Sequence, residues 1–177
     1  KWGLADAVVT GGAEHAGTPT SIASFANMTA LSSSGTSRPF DTDRDGFIMG
    51  EGAAALVLEE WSVAEARGAT ILGEVLGGGS NADAHHITAP SPGGVGAITC
   101  MRLALTEAGI SAGDIAHVNA HGTSTPLNDA AEAAAVAEVF GGHRPPVTSI
   151  KGVTGHALGA AGALEAAAVV LSFQKRQ

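Results

Sequence analysis

The chain has 177 residues and 45% hydrophobic content, enough apolar surface for the core of one ordinary domain. Its formal charge of −8 excludes nucleic acid as a partner, because neutralising phosphates takes clustered Lys and Arg, and the nine basic residues here are scattered. No apolar run approaches the roughly 20 residues of a membrane span, and the first residues lack the basic-then-apolar order of a secretory leader, so the expectation is a cytoplasmic protein with no membrane partner.

Residues 5–10 form a short apolar run closed by Gly11-Gly12, the pattern of a buried strand ended by a turn. A chain that opens inside a strand is expected to start partway through a larger protein, and its far end looks similarly cut. A helix is predicted over about 21–31, a polar surface loop over 32–37, a strand over 52–59 and a helix over 62–67 closed by Gly68. The intervening Asp41, Asp43, Asp45 and Gly46 suggest a calcium loop, but the twelfth position, where a bidentate acid belongs, is Gly52. A strand over 71–76, a glycine- and proline-rich loop and a helix over 95–108 ended by Gly109 follow. The remainder alternates strand 115–119, helix 129–140, strand 146–150 and helix 157–174. This order predicts a layered α/β fold with a largely parallel centre.

Two segments at predicted strand ends carry chemistry: Asn119-Ala120-His121-Gly122-Thr123-Ser124-Thr125-Pro126 and Lys151-Gly152-Val153-Thr154-Gly155-His156. Parallel sheets bind ligands in the crevice beyond the carboxyl ends of their strands. Two neutral imidazoles donating to one oxygen there would stabilise an enolate or oxyanion. His156 precedes the predicted last helix, whose positive end disfavours an imidazolium. Lys151 is the only lysine away from the chain ends and must find an acid in its apolar setting, with Asp129, Glu132 and Glu165 as candidate partners.

Other polar residues read more plainly. His15, His117 and His143 have no polar companion at a comparable loop. Cys100, the sole cysteine, lies in a helical run and reads as a packed thiol. Ser124 superficially resembles a hydrolase nucleophile, but Pro126 replaces the second glycine of that elbow. His85 and His86 are adjacent and point apart on most backbones, which disfavours a metal pair; no metal site is assigned.

The chain resembles the β-ketoacyl-[acyl-carrier-protein] synthases, most closely the synthase II type. The likeness is carried by Val9-Thr10-Gly11-Gly12-Ala13-Glu14, Arg38-Pro39-Phe40-Asp41 through Asp45-Gly46-Phe47, Gly50-Glu51-Gly52-Ala53, and the runs 119–126 and 151–162. The resemblance implies an incomplete thiolase-like αβαβα fold, with residues 1–68 ending the first half and 69–177 forming most of the second. It implies His121 and His156 as the catalytic pair, Lys151 as the motif lysine, and Asp129, Glu132 and Glu165 as acids that organise the site. Thr123, Thr125 and Thr88 would contact the phosphopantetheine arm. It further implies acyl carrier protein and malonyl carrier protein as partners, a homodimer, and no cofactor beyond that arm. The family's nucleophilic cysteine is expected before residue 1 and its phenylalanine-bearing gating loop after residue 177, so the chain alone is expected to be inactive. A catalytically silent chain-length factor and a modular polyketide ketosynthase are the alternatives.

Overall fold

The computed structural model describes residues 3–175. Strand β1 (Ala7–Glu14) pairs antiparallel with β2 (Gly52–Glu59), in a register running from Ala7 opposite Glu59 to Glu14 opposite Gly52. The expected turn at Gly11-Gly12 is therefore strand. Gly12 serves packing instead: a Cβ there would lie 2.5 Å from the Gly159 carbonyl oxygen, so its bare backbone admits the short 3₁₀ turn Leu158–Ala160 onto the sheet.

Helix α1 (Pro19–Asn27) is capped by Thr18, whose hydroxyl accepts from the Ser21 N–H. Helix α2 (Trp61–Ala66) ends where Gly68 turns left-handed, as expected. Helix α3 (Val95–Ala108) stops at Gly109 in the same conformation, and it packs on α4 (Pro126–Phe140). Helix α4 begins three residues before its predicted start, because Thr125 is extended and Pro126 is preset for the first turn.

Strands β3 (Val118–Asn119) and β4 (Val147–Thr148) are short and parallel. The expectation of a largely parallel centre thus holds for this pair and fails for β1 and β2. No strand forms over 71–76: its apolar residues find no ladder, and Leu72, Val75 and Leu76 stay exposed. The single helix predicted over 157–174 is instead two pieces, the 3₁₀ turn and α6 (Ala161–Lys175), which covers β2 and touches β1; a separate turn, α5 (Lys151–Thr154), precedes them. The buried apolar residues are mostly small: Ala120, Ala135, Ala157, Ala160 and Ala161, with Phe47 and Phe140.

Candidate active site

His121 leaves the end of β3 and Lys151 the end of β4, so the parallel pairing of two short strands sets them side by side. His156 arrives from another direction. Gly155, at φ +67°, lets the chain lie against residues 48–50. There the His156 N–H donates to the Ile48 carbonyl at 2.7 Å, and its own carbonyl accepts from the Gly50 N–H at 3.0 Å. Its ring meets that of His121 edge to face, centroids 5.1 Å apart at 85°. The buried ring of Phe47 also meets the His156 ring in an edge-to-face arrangement, centroids 5.3 Å apart.

The hydrogen bonds select the tautomers. The Leu158 N–H donates to His156 Nδ1 at 3.2 Å, and the Lys151 ammonium donates to His121 Nδ1 at 3.3 Å. With both Nδ1 atoms accepting, both neutral rings carry their proton on Nε2. Burial, followed by the His121 and Lys151 charges, pushes the His156 pKa down to about 4. Burial and then the Lys151 ammonium lower that of His121, against the opposing pull of Glu132, Glu165 and Asp129. The cause expected from sequence, a helix terminus at His156, is replaced: α6 begins five residues later, and desolvation does the work.

Lys151 is fully buried and resolves its choice of acid in favour of Glu165, an ion pair joining α5 to α6. Its ammonium also donates to the His121 carbonyl at 2.7 Å. Glu132 instead grips the backbone, accepting from the His121 and Gly122 N–H groups at 2.7 and 2.8 Å. Buried Asp129 lies away from the lysine network. It accepts from the Phe40 N–H at 2.7 Å and sits 3.8 Å from Arg44 Nε, anchoring the 38–46 loop on α4. Of the three threonines, Thr123 and Thr125 share the His121 loop, their hydroxyls 2.8 Å apart. Thr88 is exposed on the 83–94 loop, where its N–H donates to His86 Nδ1. A half-open cleft of about 120 Å³ lies between that loop and α4, lined by Asp83, Pro90, His121, Asn128 and Glu132.

The remaining candidates take structural roles. Ser124 is buried in the left-handed region with its hydroxyl accepting from the Arg38 N–H at 2.8 Å. Cys100 donates its thiol proton to the Gly79 carbonyl at 3.0 Å. The Asp45 carboxylate is held well below the usual range by the hydroxyl of Ser32 and the N–H and hydroxyl groups of Ser33 and Ser34, so the acidic loop folds on serines. His15 pairs with Glu51 at 2.7 Å, a contact absent from the sequence reading. Phe47 was also missed as a site residue, although it closes the Asp45-Gly46-Phe47 motif; an apolar ring carries no chemistry that would mark it in the sequence.

Paired neutral imidazoles beside a buried lysine–glutamate couple, at the carboxyl ends of parallel strands, define an α/β protein with a site suited to a developing oxyanion. Residues 1–64 match the family model for the β-ketoacyl synthase N-terminal domain and residues 72–177 that for its C-terminal domain. The chain belongs to the β-ketoacyl synthase family. It is 48% identical to 3-oxoacyl-[acyl-carrier-protein] synthase 2 of Coxiella burnetii, an alignment covering 96% of this chain and 43% of that protein. A type II polyketide ketosynthase, solved with its acyl carrier protein, superposes with a TM-score of 0.93 at 38% identity, over 97% of this chain and 44% of that one. The ishigamide ketosynthase/chain length factor gives 0.89 at 43% identity, over 96% and 41%. The fold is thus the thiolase-like layered arrangement expected from sequence, present in part: the chain spans less than half the length of these relatives.

Proposed function

We propose that this chain is part of a 3-oxoacyl-[acyl-carrier-protein] synthase, which joins an acyl thioester to malonyl-[acyl-carrier-protein] by decarboxylative Claisen condensation in fatty acid or polyketide biosynthesis. The observation that carries the reading is the ring pair: two imidazoles in contact, each with a donor at its Nδ1, an arrangement that assigns the proton of each neutral ring to Nε2. In this reading the malonyl carbon–carbon bond breaks, carbon dioxide leaves, and the electron pair becomes an enolate whose oxygen accepts from both Nε2–H groups. The enolate carbon then attacks the acyl thioester carbonyl and the cysteine thiolate departs. The family resemblance assigns that cysteine outside this chain, and Cys100, which does not match it, donates its thiol to the Gly79 carbonyl.

Lys151, held by Glu165, fixes the His121 tautomer, while Glu132 holds the backbone around it and Asp129 holds the neighbouring 38–46 loop at Phe40. Thr88, Thr123 and Thr125 are read as hydroxyl contacts for the phosphopantetheine arm, and no other cofactor is invoked. Residues 1–68 are read as the end of the first half of the synthase and 69–177 as most of the second. The reading extends to a cytoplasmic homodimer that works with acyl carrier protein.

In the intact synthase, His121→Ala and His156→Ala should each slow malonyl decarboxylation by roughly 10²–10³-fold while acyl loading onto the cysteine persists. Lost loading with normal decarboxylation would reverse the roles. A silent chain-length subunit is the second reading, favoured by the ishigamide match. It has no chemical need of paired Nε2 donors, and decarboxylation by the intact protein would discard it.

A further inference from the structure

Four backbone N–H and carbonyl groups flank the His121 imidazole, and each has a partner. Glu132 accepts from the N–H groups of His121 and Gly122 at 2.7 and 2.8 Å. The Lys151 ammonium donates to the His121 carbonyl at 2.7 Å. The fourth group, the Gly122 carbonyl, accepts from the Ser149 hydroxyl at 2.9 Å. Ser149 Oγ in turn accepts from the Lys151 N–H at 3.3 Å, which aims the hydroxyl proton at Gly122. Gly122, at φ +43°, has no room for a side chain: a Cβ would fall 2.5 Å from Ser149 Cβ.

We infer that Ser149 is a positioning residue for His121, linking the histidine loop to the lysine turn through one hydroxyl. The inference rests on the catalytic reading above only for its kinetic consequence. Without the hydroxyl, the Gly122 carbonyl and the Lys151 N–H both lose a partner, and the His121 loop, held then by Glu132 and the Lys151 ammonium alone of these ties, can shift slightly relative to the lysine. The 3.3 Å contact from Lys151 Nζ to His121 Nδ1 is already long for a hydrogen bond, so a small shift breaks it and releases the tautomer.

The test compares Ser149→Ala and Ser149→Thr in the intact synthase, with kcat and KM for malonyl-[acyl-carrier-protein] decarboxylation and ¹⁵N shifts of labelled histidine. Alanine should lower kcat roughly tenfold with KM little changed. It should also move the His121 nitrogens from the Nε2–H pattern toward a mixture, while threonine restores both. A Ser149→Ala protein with unaltered His121 nitrogen shifts overturns the inference, whatever becomes of the catalytic reading. Equal defects in the alanine and threonine variants overturn it too, since the hydroxyl is then not what matters. Failure of the catalytic reading has its own signature, a His121→Ala protein that still decarboxylates.

Discussion

His156 shows how a single residue records its surroundings. Its ring touches those of Phe47 and His121, and its pKa falls from 6.5 to about 4. Between those values the unfolded chain binds a proton that the folded chain refuses. The stability contributed by the neutral ring is therefore complete above about pH 6.5 and lost as pH falls toward 4. Because the ring is only half-buried, roughly 1–2 kcal/mol is the reasonable size of that loss. Urea unfolding of wild type and His156→Gln at pH 4, 5, 6 and 7 measures it. The wild-type stability should decline more steeply through this window, and parallel curves would show that the ring titrates normally.

Element by element, the sequence was most legible where structure is local. Gly68 and Gly109 end their helices as read, because a left-handed residue after the last turn is a short-range requirement. The site loops were legible for a similar reason, since an apolar run followed by His121 or Lys151 places each at a strand end. Long-range choices were not legible. Residues 71–76 have strand composition but no ladder partner among the described residues, and the break after Thr154 depends on His156 bonding Ile48. Nor does spacing decide that Lys151 pairs with Glu165 while Asp129 turns to Phe40. That ion pair fastens α6 to α5, and removing one member strands a buried charge. Glu165→Leu should cost about 3–5 kcal/mol, while adding Lys151→Met should recover much of it, because two apolar side chains leave no charge to desolvate. Denaturant midpoints of the two variants test this; a double variant weaker than the single would deny that the ammonium is the liability.

At the scale of the whole molecule, the sheet of β1 and β2 is covered on one side only. Helix α6 and the 3₁₀ turn occupy that side, while Val9 and Val57, partners in the register, remain 76% and 62% exposed. Leu72, Val75 and Leu76, and Leu171 and Phe173 on α6, are exposed as well. Apolar side chains left in water in such number favour association, and the chain spans 43% of the Coxiella relative, so further chain is available in that protein to cover them. The 177-residue chain expressed alone should therefore self-associate and bind a hydrophobic dye. Val9→Lys with Val57→Glu, opposite charges at directly paired positions, should reduce both without unpairing the strands. Light scattering and dye fluorescence of the two proteins are the measurements. A monodisperse, dye-free wild-type chain would mean that this apolar surface is satisfied without the remainder of a synthase.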